Sequence, residues 1–366
     1  MKCIVSNIRV LHTEWSNGWG GQEIRIINEM IVVREQNIEV FLACRDHSII
    51  KQKALENNIK VFTLPFRGNA DLQTLFGLKK IIEENSIDIV NTHSGKDTWV
   101  GGLAAKLSGV KFIRTRHISN PIRSSRANFI NELADYIITT GESVRNDMIN
   151  NNRIKPEIIQ SIPTGIDSEI FNPEKYERKK CREQFNIEDN EIAIGIVAVL
   201  RRFKRHDLFL KMAITLIDQY SDKNFTFLIA GNGPQKKRIL DLINELDIVA
   251  NVKLLGHVDQ VPELLSALDV FVLSSDSKEG VPQSVIQALS INISVVATNS
   301  GSTRDLLNNN SFYLAETNNV DDLVKGVSYF LHNSFQNKTR EYILTNYTKS
   351  VMCNKIIQIY KGLIQN

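Results

Sequence analysis

SSDSKEGVPQSVIQA, residues 274–288, follows an apolar run from Leu268 to Leu273 whose alternating Val and Phe read as a buried strand. Pro282 suits the first turn of a helix, where a missing N–H is no loss. That helix would bury Val285, Ile286 and Leu289 on one face. Glu279 and Gly280 then sit in a loop at the carboxyl end of a strand, just before a helix N-terminus. In open α/β sheets ligands bind at such strand ends, and the free N–H groups of a helix start suit an anion such as a diphosphate. An ordinary strand-to-helix turn has the same spacing, so the neighbouring sequence must decide.

At 366 residues the chain is long for one core, and two domains are expected. Its 44 basic residues against 41 acidic ones leave a formal charge of +3. With no basic run and no RNA-binding signature, nucleic acid is not an expected partner. The charge is compatible with an anionic membrane face without demanding one. Cys3, Cys44, Cys181 and Cys353 are scattered without metal-ligand or redox spacing, which fits a reduced, cytosolic setting. The start, MKCIVSNIRV, reaches polar residues too soon for a signal peptide, and no apolar run approaches the roughly 20 residues that span a bilayer. A soluble or peripheral protein is expected.

Residues 2–11 alternate like a strand and lead into Asn17-Gly18-Trp19-Gly20-Gly21, with a helical pattern from Gln22 to about Val33. Strand, glycine loop and helix make a phosphate-cradle layout, although glycines also serve plain turn geometry. The full GxGxxG and GxxxxGK[ST] patterns are absent, which disfavours a dinucleotide fold or a P-loop ATPase. Apolar runs recur at Val40–Cys44, Val61–Leu64, Ile87–Thr92, Phe112–Thr115 and Tyr136–Thr140, with helical segments between them. That rhythm means βα units and a parallel sheet. Two of these strands run into His93-Ser94-Gly95-Lys96-Asp97 and into His117, polar clusters at equivalent strand ends. The piece from Pro121 to Leu133 is basic and amphipathic, with Arg123 and Arg126; it reads as a solvated helix face or a contact for a phosphorylated or lipid-linked acceptor.

Ile162-Pro163-Thr164-Gly165-Ile166-Asp167 through Phe171-Asn172-Pro173 is rich in breakers and reads as a linker. After a charged helix at Tyr176–Phe185, a second α/β series is expected, with strands at Ala193–Leu200, Phe225–Ala230, Val252–Leu255, Val270–Leu273 and Ser294–Ala297. Two facing doubly wound domains would place a ligand cleft between them. Strand ends here carry Arg201-Arg202-Phe203-Lys204, Gly231-Asn232-Gly233-Pro234 and Gly301-Ser302-Thr303-Arg304-Asp305. Arg grips phosphate oxygens with two donors, and Lys offers a point charge.

In their order and spacing these pieces, together with Gly20-Gly21-Gln22-Glu23, Thr115-Arg116-His117, Leu255-Gly256-His257-Val258, Glu279-Gly280-Val281-Pro282 and Gln287-Ala288, resemble the retaining glycosyltransferases of family 4. The resemblance covers nearly the whole chain, and bacterial enzymes of lipopolysaccharide, O-antigen or capsule synthesis are the nearest in flavour. It implies the GT-B fold: an acceptor-binding Rossmann-like domain over 1–168, joined by a C-terminal helix at 350–366, and a donor-binding one over 169–349. Such a layout permits hinge closure over the donor.

The resemblance also implies roles. Arg201 and Lys204, with Arg202 in reserve, would bind the donor diphosphate and stabilise the leaving nucleoside diphosphate. Gly20 and Gly21 would bring backbone to it, and Gly231 and Gly233 are further donor- or nucleotide-binding candidates. Gly256, His257 and Val258 would read the nucleobase, and His117 would contact the donor sugar. Glu279, with the backbone of Gly280, Val281, Pro282 and Gln283, would hold sugar hydroxyls. His93, Ser94, Lys96 and Arg123 are the acceptor-side candidates. The expected substrates are a UDP-sugar, or failing that a GDP-sugar, and a glycolipid or polysaccharide acceptor at the inner face of the cytoplasmic membrane. No Asp-x-Asp occurs, which matches a metal-independent enzyme with no cofactor. The leaving phosphate would take the acceptor proton, so no paired-carboxylate machinery is expected.

Two positions depart from the family pattern. Gln287 stands where a second Glu, eight residues after the first, usually grips the ribose, and Val199 occupies the usual place of the Arg. A GT-B epimerase, a phosphorylase and a non-catalytic nucleotide-sugar binder share the fold and stay open at this point.

Overall fold

A computed structural model describes residues 7–117, 122, 126–277, 279–307, 311–333 and 339–365. The chain forms two units, Met1–Gly165 with Lys349–Asn366, and Ile166–Thr348.

The first unit is built on seven parallel strands: β1 (Arg9–Glu14), β2 (Glu39–Cys44), β3 (Lys60–Thr63), β4 (Ile89–Thr92), β5 (Lys111–Arg116), β6 (Tyr136–Thr139) and β7 (Ile159–Ser161). Their order across the sheet is β3-β2-β1-β4-β5-β6-β7. Parallel neighbours need crossover connections, so helices cover both faces and the strands are apolar on both sides. In β2, Val40, Leu42 and Cys44 enter one core while Phe41 and Ala43 enter the other. The helix Lys349–Gln365 returns to this unit and lays Met352, Ile356 and Tyr360 against Ile26, Met30 and Val33 of the helix Gly21–Arg34. Full burial of each such side chain contributes roughly 1.5–3 kcal/mol. The buried Tyr360 hydroxyl donates to Glu29 at 3.1 Å, so it is not left unsatisfied.

The second unit has six parallel strands: β8 (Glu191–Val197), β9 (Asn224–Ala230), β10 (Val252–Gly256), β11 (Val270–Leu273), β12 (Ser294–Thr298) and β13 (Phe312–Ala315). Their order is β10-β9-β8-β11-β12-β13. Both sheets therefore reverse winding direction once, between β1 and β4 in the first and between β8 and β11 in the second. The crevice at such a reversal is where doubly wound sheets take their ligands.

Four details differ from the sequence expectations. β1 runs on past Leu11 through His12, Thr13 and Glu14, all fully buried, because these polar side chains find partners inside. β7 and β13 were not expected; both are short edge strands, the form in which edges are kept from pairing further. Pro282 is the residue capping the helix Gln283–Ser290 rather than its first turn. β8 ends at Val197, so Arg201 follows a short run, Ala198–Leu200, rather than the strand itself.

Candidate active site

In the second unit, the loops leaving β8, β9 and β10 are stitched together by backbone. Leu200 N–H donates to Asn232 C=O at 3.0 Å, Gly231 N–H to Gly256 C=O at 2.6 Å, and Gln235 N–H to Leu200 C=O at 3.0 Å. Gly231 sits at φ +140°, and a Cβ there would lie 2.0 Å from the Ala198 carbonyl oxygen, so only glycine fits. This stitching brings Arg201, Gly231, Gly233 and Gly256 to one end of the sheet. Arg201 and Arg202 are exposed. With Arg205 and Arg238 they line a cavity of about 230 Å³ whose wall includes His206. His206 is buried, neither ring nitrogen has a partner among the described residues, and burial pulls its pKa down to about 4.

Across the winding reversal, Lys204 Nζ meets Glu279 Oε1 at 2.6 Å, and Ser275 Oγ donates to the same oxygen at 2.5 Å. Lys204 follows β8 and Glu279 follows β11, so the pair spans the crevice. The backbone holds it there. Ser274 Oγ donates to the Lys204 and Arg205 carbonyls, and Asp276 N–H donates to Phe203 C=O at 2.9 Å. On the far side Ser302 N–H donates to Glu279 C=O at 3.3 Å. Glu279 Oε2 and the N–H groups of Gly280, Val281 and Gln283 have no partner among the described residues. The buried carboxylate, the paired ammonium and the free amides can together receive a ligand rich in hydroxyls and phosphate oxygens. Gln283 and Gln287 lie one turn apart, half-buried on the same side of the following helix. Val258 packs on the core and His257 is exposed, bonded to Asp259 at 3.1 Å.

In the first unit, Gly20 precedes the helix Gly21–Arg34. Neither Gly20 nor Gly21 has a positive φ, and a Cβ would fit at both. Turn geometry therefore does not explain these glycines. His93 and His117 follow β4 and β5, and the structure joins them: His93 Nδ1 lies 3.0 Å from His117 Nε2. A third ring, His12 of β1, continues the line, with Nδ1 2.9 Å from His93 Nε2. Ser94 directs its hydroxyl and N–H to Asp97, opening the helix Gly95–Leu107. Lys96 is exposed, its ammonium 4.0 Å from the Trp15 ring centre. Arg123 lies outside the described residues, as does the side chain of Arg126.

Sequence reasoning missed the burial and pairing of the charges behind these groups. Arg25 and Glu29 pair at 3.7 Å, and Glu29 also accepts from Asn91 at 3.2 Å. Asp97 accepts from Thr13 at 2.7 Å and from the His93 N–H at 2.9 Å. Burial, reinforced by the nearby Asp97 charge, pushes the Glu14 carboxyl up to about 8 although Ser16 N–H and Gln22 donate to it. Between pH 4.5 and 8 the folded chain then holds a proton that the unfolded chain has lost, so stability falls as pH rises across that window. Glu14→Gln is expected to flatten this slope in denaturant midpoints measured from pH 5 to 8. An unchanged slope would show that Glu14 is ionised in the fold.

Among the described residues no group of three or more His, Cys, Asp or Glu is disposed to hold a metal ion, and no helix is long and apolar enough to cross a membrane.

Known proteins match this chain along its whole length. Residues 177–349 match the family described as Glycosyl transferases group 1, and residues 19–170 match Glycosyltransferase Family 4. An Escherichia coli protein named UDP-Gal:alpha-D-GlcNAc-diphosphoundecaprenol alpha-1,3-galactosyltransferase is 23% identical, covering 100% of each chain. Among solved structures, a glycosyltransferase from Rickettsia africae ESF-5 superposes with a TM-score of 0.89 at 20% identity, over 98% of this chain and 99% of that one. Anabaena Alr3699/HepE, solved in complex with UDP and glucose, gives 0.83 at 16% identity, over 97% and 100%. At these identities the structural likeness speaks for the fold, two Rossmann-like parallel-sheet domains of the GT-B type.

Proposed function

The chain belongs to the group 1 glycosyltransferases, and from that premise we propose that it moves a hexose from a nucleoside diphosphate sugar to a glycolipid or polysaccharide acceptor. We further propose that transfer retains the anomeric configuration and needs no metal ion. The observation that carries this reading is the Lys204–Glu279 pair at the winding reversal, with free amides beside it and the exposed Arg201 on the same sheet end.

An ammonium has three N–H donors, and the pair with Glu279 uses one, leaving two for phosphate oxygens. Arg201, with Arg202 behind it, supplies a planar fork for the same diphosphate. As the bond from the anomeric carbon to the phosphate oxygen breaks, these cations take up the charge developing on the leaving group. The acceptor hydroxyl attacks that carbon, and its proton passes to the departing phosphate. Glu279 Oε2 and the N–H groups of Gly280, Val281 and Gln283 orient the sugar, Gly256 to Val258 face the base, and Gln287 takes the ribose. Gly20 and Gly21 approach the diphosphate, and His117 contacts the sugar. Of the acceptor-side residues, Lys96 offers an exposed charge, whereas His93 and Ser94 are engaged within the unit.

UDP is the nucleotide proposed first, since the E. coli relative is named for UDP-Gal and the Anabaena protein was solved with UDP. The relative's lipid diphosphate acceptor supports a surface-polysaccharide role at the cytoplasmic membrane face. The test is a thermal-shift panel of UDP, GDP, ADP, CMP and NAD, each with and without EDTA. A ligand at 100 times its Kd adds about 2.7 kcal/mol. A UDP or GDP shift that EDTA leaves alone is the expected result. A shift only with ADP or NAD, or none, rejects the assignment of Arg201 and Lys204.

A further inference from the structure

His12, His93 and His117 come from three adjacent strands, β1, β4 and β5, and form one line of imidazoles. The His12 and His93 rings are nearly coplanar, at 7°, so lone pair and N–H can point straight at one another. His93 and His117 are tilted by 35° with the same 5.2 Å centroid separation. His93 is held in place by Asp97, which accepts its backbone N–H and is itself bonded to Thr13. We propose that His12 and His93 are positioning residues that fix His117 as the Nδ1–H form of a neutral imidazole, so that it offers an N–H donor to an oxygen of the bound sugar. The last clause rests on the donor-sugar role given to His117 above.

The protons can be counted. Burial lowers the pKa of His12 to about 3 and those of His93 and His117 well below the usual range; the guanidinium groups of Arg25 and Arg114 lower the last two further. All three rings are therefore neutral near pH 7 and carry three ring protons between them. Two lie in the ring–ring hydrogen bonds. The third must sit at an end, on His12 Nε2 or on His117 Nδ1. His12 Nε2 is buried and has no partner among the described residues. A buried N–H without an acceptor is among the rarest defects in folded proteins, rarer than an unfilled acceptor. The end proton thus belongs on His117 Nδ1. That requires each bond to run one way: His12 Nδ1–H donates to His93 Nε2, and His93 Nδ1–H donates to His117 Nε2. His117 Nδ1 itself has no partner among the described residues, and the residue is half-buried. Because the His12 end reaches neither water nor an acid, protons cannot be fed through the line. It is a tautomer lock, not a relay.

The test needs no substrate. In uniformly ¹⁵N-labelled protein, long-range side-chain ¹H–¹⁵N correlation, with His117 assigned by its loss in His117→Asn, should show protonated Nδ1 and bare Nε2. In His12→Phe the His117 signals should move toward the average of the two forms. His93→Gln, whose amide can still donate to His117 Nε2, should keep the Nδ1–H signal, and His93→Leu should lose it. With a UDP-sugar, kcat of the Leu variant should fall about tenfold below that of the Gln variant at similar KM, the equivalent of one hydrogen bond. An Nε2–H form of His117 in the unaltered protein overturns the proposal, even if every variant fails to fold. So does a His12→Phe variant with an unchanged His117 spectrum. A locked ring in a protein that binds no nucleotide supports the lock and counts against the donor-sugar reading alone.

Discussion

Glu279→Ala is expected to lower kcat by about 10²–10³-fold, the loss typical when a preorganised electrostatic group is removed from a transferring centre. Its affinity for UDP should hold or tighten. The two effects part company because of the carboxylate's position. Oε1 already binds Lys204 and Ser275, while Oε2, without a partner among the described residues, is the atom proposed to take the sugar. Removing the carboxylate releases the ammonium to a diphosphate, which it can then meet without a competing anion. On the proposed role the sugar, however, loses the acceptor that orients its hydroxyls, and misorientation acts on the chemical step. Glu279→Gln keeps the shape and one acceptor but not the charge, so it should fall between the two. UDP titration by calorimetry and initial rates at saturating donor separate the effects. Loss of UDP binding in parallel with kcat would mean that the residue only shapes the loop, and a kcat within a few fold of the unaltered enzyme would remove it from the reaction.

Gly301→Ala should destabilise the second unit by about 3 kcal/mol or more, combining a strained backbone with a close overlap. Gly301 sits at φ +57°, and a Cβ would fall 1.8 Å from the Glu279 carbonyl oxygen. Neither group can yield cheaply, since the loop is also held by the Ser302 N–H to Glu279 C=O bond. Gly109 is the control: its φ is +69°, but a Cβ there meets nothing within 4 Å. Gly109→Ala should therefore show the backbone cost alone, of about 1 kcal/mol. The difference in denaturant midpoint between the two variants isolates the clash. If the two substitutions cost the same, the tight approach of Gly301 to Glu279 is not present in solution.

Much of this fold was legible in the sequence because its strands are buried on both faces. Runs such as Val40–Cys44 and Val270–Leu273 are apolar throughout, and turn residues mark their ends. Reading failed where the core is polar. The helix Gly21–Arg34 buries Glu23, Arg25 and Glu29 among its aliphatic side chains, and β1 buries His12, Thr13 and Glu14. Each of these looks like a surface residue until its surroundings are known, and several contacts come from far along the chain: Glu29 with Asn91 and Tyr360, Arg25 with Thr164, Thr13 with Asp97, and His12 with His93. At the candidate site, glycines and cations at strand ends pointed to Arg201, Lys204, Gly231 and Glu279 individually. The ion pair between Lys204 and Glu279 could not be read, because it depends on β8 and β11 being neighbours. His93 and His117 drew notice as residues just past strand ends. His12 lies inside its strand, where only the sheet order reveals that it completes the line.

The return of the helix Lys349–Gln365 to the first unit has a consequence for biosynthesis. The second unit is a contiguous insertion whose chain enters at Ile166 and leaves at Thr348, residues joined by a β-bridge. All of its strands have been translated before Met352, Ile356 and Tyr360 exist to cover Ile26, Met30 and Val33. The first unit therefore cannot close its core over the helix Gly21–Arg34 until the whole of the second unit has been translated. Until then the apolar face that Ile26, Met30 and Val33 present lacks the cover it has in the fold.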